Sequence, residues 1–145
     1  MIARIEAELK EAMRARDELR RATLRLTLSA LRSAEKELGR PLKNDEELQV
    51  LQRERKRRTE SVRAFRDAGR EEQAEREESE LHVLEALMPA PLSEAELEGI
   101  IDDAIAETGA TSLRDLGHVM ADVMPQVAGR ADGSVVIQLV REKLA

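Results

Sequence analysis

Cysteine is absent, which excludes disulfides, thiolate nucleophiles, iron–sulfur clusters and cysteine-based zinc sites. Aromatic side chains are nearly absent too: Phe65 stands alone, with no Trp and no Tyr. Stacking of successive bases from a single strand is therefore not this chain's main device. No apolar run approaches the roughly 18 residues that a membrane span requires. The opening Met1-Ile2-Ala3-Arg4-Ile5-Glu6 lacks the apolar stretch of a secretory signal, so a cytoplasmic protein without membrane attachment is expected. A glycine-rich phosphate loop and a two-histidine zinc motif are both missing, and neither cofactor nor metal is expected. Net charge is −6, which excludes a globally basic nucleic-acid binder.

What the chain has is helix-forming residues. Ala, Leu, Glu and Arg dominate, β-branched residues are sparse until the last dozen positions, and no two-residue alternation is sustained. The class reads as all-α. A first helix spans Ile2 to about Ala15, with Ile2, Ile5, Leu9 and Met13 on one side. A second spans about Asp17 to Leu38 and stops at Gly39, with Pro41 just beyond. A third opens at Asn44, with Glu47 at capping-box distance, and stops at Gly69. A fourth runs from about Arg70 to Leu87. Short links favour antiparallel neighbours in a hairpin-type bundle of about four helices.

Pro89-Ala90-Pro91 then interrupts any helix, because proline lacks the N–H and restricts the preceding residue. It separates an N-terminal domain, 1–88, from a C-terminal domain, 92–145. Beyond it, Ser93 with Glu96 opens a helix that ends at Gly109. Another spans about Ser112 to Met124 and stops at Pro125, and a last opens near Asp132. These three short helices form a compact bundle.

Charge is segregated along the chain. Residues 53–70 carry eight basic and three acidic residues, net +5, and residues 71–98 carry one and ten, net −9. Two readings stay open. Arg53, Arg55, Lys56, Arg57, Arg58, Arg63, Arg66 and Arg70 could track phosphates, or they could pair with the acidic helix across the hairpin. Arg55, Arg58, Val62 and Phe65 share one stripe, so two arginines continue an apolar lane.

The second helix holds a narrower feature. If it continues the first, Arg14, Arg21, Arg25, Arg32 and Lys36 fall within about 60° of one another at 100° per residue. Ser29 lies beside them, and Leu24, Leu28, Leu31 and Leu38 form the neighbouring apolar lane. Glu35 projects into that lane within reach of Arg32 and reads as a paired carboxylate.

No catalytic constellation emerges. Ser33-Ala34-Glu35-Lys36 has the spacing of a serine–lysine pair, but the rest of that motif set is missing. His118 with Asp115 and Asp122, and His82 with Glu78 and Glu85, read as surface ion-pair clusters.

Leu24-Arg25, Ala30-Leu31-Arg32-Ser33-Ala34-Glu35, then Lys56, Arg58, Ser61, Phe65 and Gly69-Arg70 form an ordered set. It continues with Glu77, Glu80, Leu81, Leu84 and Pro89, then Leu116-Gly117-His118-Val119-Met120, Met124-Pro125 and Gly129-Arg130-Ala131-Asp132-Gly133-Ser134. In this set the chain resembles the YqeY-like proteins, standalone relatives of the C-terminal region of the B subunit of tRNA-dependent amidotransferase. The resemblance implies a helical N-terminal part, a small three-helix C-terminal part and a connection to tRNA. It also implies a family label of carbon–nitrogen ligase with glutamine as amide donor. The sequence departs at Leu87-Met88-Pro89, where relatives commonly have Tyr-Leu-Pro. It departs again at His118, where relatives carry lysine, and at Ala121, where the amidotransferase tail often has lysine. The expectation is a non-catalytic tRNA-binding or accessory module, with Arg25, Arg32, Lys56, Arg58, Arg70 and Arg130 contacting phosphates. The alternatives are an adaptor that docks an acidic partner such as amidotransferase subunits, and a component of a glutamine-dependent ligase.

Overall fold

The structure, a computed structural model, describes residues 1–127 and 129–145. These form seven α-helices and no strand: α1 (Ile2–Arg14), α2 (Glu18–Leu38), α3 (Asn44–Asp67), α4 (Glu71–Glu85), α5 (Glu94–Thr108), α6 (Leu116–Val127) and α7 (Gly133–Leu144). A 3-10 turn at Leu113–Asp115 leads into α6. The chain divides into two compact units, Met1–Pro89 and Ala90–Ala145.

Local chemistry sets most helix ends. Asp17 caps α2 by accepting from the Arg20 N–H at 3.1 Å. Gly39 closes α2 at φ 70°, a left-handed geometry that a Cβ would disfavour. Ser93 accepts from the Glu96 N–H at 3.1 Å, and the Glu96 carboxylate accepts from the Ser93 N–H at 2.9 Å. The opening of α3 differs from the sequence expectation. Asn44 is its first helical residue, and Glu46, not Glu47, accepts from the Lys43 N–H at 2.9 Å. Glu46 is preferred because it also takes both guanidinium arms of Arg40, at 2.8 and 2.9 Å.

Two further expectations are corrected. The first two helices are separate, as expected, but they do not run on in line, so the condition that placed Arg14 in the cation lane is not met. Arg16 adopts φ 56° and reverses the chain, so α1 folds back on α2 and Arg14 leaves the cation lane. The helix expected to stop at Pro125 continues to Val127. Val123 and Val127 are fully buried, and Gln126 Nε2 donates to the Asp122 carbonyl at 3.0 Å. Burial and that extra donor hold the turn in which proline removes one N–H.

In the first unit, Ile5 and Ala12 of α1 pack with Leu24, Leu28 and Leu31 of α2, Val50 of α3 and Leu87. Leu38, expected in the leucine lane, is 49% exposed because the lane drifts off the core near the helix end. Thr23 and Thr27 take interior positions instead. Their hydroxyls donate back to the Leu19 and Thr23 carbonyls at 2.9 and 2.8 Å, which satisfies them without a partner helix. In the second unit, Ile101 and Ala104 of α5 pack with Val119, Val123 and Val127 of α6 and Val136, Val140 and Leu144 of α7. Arg130 Nε donates to the Ala90 carbonyl at 3.1 Å and the Leu92 N–H to the Arg130 carbonyl at 2.9 Å, fastening the entry segment of this unit.

The α3–α4 hairpin resolves the charge question in part. Arg58 is 8% exposed. Its Nη1 lies 2.6 Å from Glu80 Oε2 and 3.6 Å from Glu77 Oε2. Arg66 reaches Glu78 at 3.0 Å and also Glu71, and Arg55 approaches Glu85 at 4.0 Å. The three arginines on the α4 side of α3 therefore hold the hairpin together.

Removing one member of a buried pair leaves an uncompensated charge. We expect Arg58→Ala to destabilise the first unit by about 2–3 kcal/mol, and Arg58→Met with Glu80→Leu to recover most of that. A double-mutant cycle in urea checks it. A coupling below about 0.3 kcal/mol would contradict a structural role for the pair.

Glu46 gives a pH prediction. The Arg40 hydrogen bonds, then the Lys43 N–H, hold its carboxyl down to about 2. A lowered folded-state value contributes stability above the ordinary carboxylate range, and that contribution disappears as pH falls towards 2. The urea midpoint of the first unit should fall between about pH 5 and pH 2, and less steeply in Glu46→Gln. Identical slopes for the two proteins would contradict this.

Candidate nucleic-acid interface

The amphipathic pattern of α2 buries Leu24, Leu28 and Leu31 and leaves Arg25, Ser29, Arg32, Ser33 and Lys36 exposed. Arg25, Arg32 and Lys36 line a shallow groove of about 480 Å³ with Leu9, Leu28, Ser29 and Ser33. No carboxylate is among the residues lining it. Arg25 and Lys36 make no ion pair among the described residues, whereas Arg32 pairs with Glu6 of α1. Glu35 is thus not the partner of Arg32, because the reversal at Arg16 brings α1 alongside and offers Glu6 first.

A second groove, about 620 Å³, lies on the other side of the same exposed ridge of α2. Leu26, Ser29, Ala30, Ser33, Ala34 and Glu37 form its α2 wall, and Val50, Arg53, Glu54, Arg57, Arg58 and Ser61 its α3 wall. Glu77 and Glu80 of α4 close the bottom and carry Arg58 between them. Arg53 makes no ion pair among the described residues. Arg57 stays 75% exposed at the side chain, with Glu54 at 3.6 Å. Ser29 and Ser33 line both grooves.

The sequence-derived contact residues therefore occupy different environments. Arg25 and Arg32 share one groove. Arg58 lies in the floor of the other with its guanidinium enclosed by two carboxylates. Lys56 and Arg70 are exposed, make no ion pair among the described residues and line neither groove. Arg130 belongs to the second unit and is half-buried against the Ala90 carbonyl. Sequence reasoning missed Arg53 and Arg57 as a separate row. The signal was their spacing of four residues, offset from the Arg55–Arg58–Val62 stripe that faces α4.

No group of three or more His, Asp or Glu side chains able to hold a metal ion occurs among the described residues. Asp115, expected beside His118, accepts from the Thr111 and Ser112 N–H groups at 3.0 and 3.3 Å and serves as a turn cap. No helix among the described residues is long and apolar enough to cross a membrane.

Comparison with known proteins places these features in a family. One similar protein is "Altered inheritance of mitochondria protein 41, mitochondrial" from Pyrenophora tritici-repentis (strain Pt-1C-BFP). It is 31% identical over 147 residues, covering 98% of this chain and 80% of that protein. The family model described as "Yqey-like protein" matches residues 2–144, essentially the whole chain, and the chain belongs to that family.

Proposed function

We propose that this chain is a non-catalytic nucleic-acid-binding accessory module whose ligand is tRNA, held through phosphate contacts to α2. The observation that carries the reading is the groove lined by Arg25, Arg32 and Lys36 with two serine hydroxyls and no carboxylate. Arg25 and Lys36, which make no ion pair among the described residues, and Arg32, once it exchanges Glu6 for a phosphate, release counterions from a polyanion when they bind it, which supplies sequence-independent affinity. The net charge of −6 does not oppose this, because the acidic excess resides largely on α4 and in the second unit. Lys56 and Arg70 are secondary contacts. Arg58 is assigned to the hairpin and Arg130 to the chain entry of the second unit. An association with a glutamine-dependent carbon–nitrogen ligase enters this reading as a larger complex in which the present chain holds tRNA and other subunits supply the chemistry.

Fluorescence anisotropy with labelled tRNA tests the reading. With three phosphates neutralised, affinity should fall roughly 20- to 40-fold between about 50 and 200 mM salt. Arg25→Glu with Lys36→Glu should abolish binding at the lower salt while the helical circular dichroism stays unchanged. This pair avoids Arg32, whose reversal would set a second acid beside Glu6. Absence of salt-dependent tRNA binding by the native chain would overturn the reading in favour of a protein adaptor.

A further inference from the structure

The two grooves have a relation to each other that binding to an unspecified polyanion does not use. Between them runs an exposed ridge on α2 whose Ser29 and Ser33 line both grooves, with Leu26, Ala30 and Ala34 on its α3 side only. On one side stands the row Arg25, Arg32 and Lys36, and on the other stands Arg53 with Arg57. A cation row on each flank of a hydroxyl-bearing ridge is complementary to a double helix, in which two phosphate strands flank a groove floor. A single strand offers one phosphate row and needs a surface for its bases. Phe65, the one aromatic residue, lines neither groove, so no stacking surface is available there.

The ridge also discriminates between forms of double helix. The A-form minor groove is wide and shallow and displays 2′-hydroxyls, whereas the B-form minor groove is narrow and lacks them. Ser29 and Ser33 on the ridge suit the former: the side chains are short, and each hydroxyl can donate to or accept from a 2′-OH. Glu37 and Glu54 line the α3-side groove as well. Glu54 is occupied by Arg57, and Glu37 is near the C-terminal end of α2, beyond the serines.

Building on the tRNA reading, we infer that α2 and the α3 row form a site for double-helical RNA, with the ridge over the minor groove and the two cation rows on opposite phosphate strands. The test uses the full chain and four labelled probes: tRNA, an RNA duplex, a DNA duplex of the same sequence and a single-stranded RNA of equal length. The RNA duplex should bind more tightly than the DNA duplex and the single strand. Ser29→Ala with Ser33→Ala should weaken RNA-duplex binding roughly three- to ten-fold and leave DNA-duplex binding unchanged. Both serines are exposed and alanine favours helix, so this variant folds. Arg53→Ala with Arg57→Ala should weaken both duplexes. Salt-dependent tRNA binding with the single strand bound as tightly as the duplex would overturn the inference and leave the tRNA reading standing. So would an unchanged RNA-to-DNA ratio in the serine variant. Failure to bind any of the four probes would overturn both.

Discussion

Arg58, enclosed by Glu77 and Glu80, determines much of what the first unit can do. A guanidinium at 8% exposure needs a compensating charge, and α4 supplies it through Glu80, hydrogen-bonded to Nη1, and Glu77 beyond it. That contact ties α3 to α4 and sets the rotation of α3 about its own axis. Arg53 and Arg57 are consequently turned towards α2, while Arg55 and Arg66 remain on the acidic helix. One basic segment is thus divided by helical geometry. Three arginines hold the hairpin, and Arg53, Lys56, Arg63 and Arg70 make no ion pair among the described residues.

The same division makes an acidic protein compatible with an anionic ligand. The negative charge of α4 is spent partly on holding α3, and the α2 cations lie where no carboxylate lines the groove. Arg32 is the intermediate case. Its pairing with Glu6 keeps it near the groove and must loosen if it is to meet a phosphate, an exchange of one exposed contact for another at little net cost.

Much of the fold was legible in the sequence because its signals were local. Gly39, Gly69 and Gly109 end or follow helices at positive φ, and Asp17 and Ser93 cap where their side chains reach a free N–H. Pro125 was misleading since its local preference yields to the burial of Val123 and Val127 on either side. Arg16 was invisible because arginine carries no preference for the left-handed conformation that the α1–α2 reversal requires. The candidate site was legible only in its α2 half. The α2 lane follows from helical periodicity alone, so Arg25 and Arg32 could be named beforehand. Whether Arg58 faced solvent or Glu80 depended on the packing of two helices, and spacing within one helix contains no such information.

In the proposed reading, the exposed ridge of α2 and the facing row of α3 form the nucleic-acid surface. Amide chemical-shift mapping of the isotopically labelled chain with a short RNA hairpin tests it most directly. Shifts should concentrate in residues 25–36 and 53–61, with residues 97–144 little changed. Shifts confined to the second unit, with α2 unaffected at saturating RNA, would contradict it.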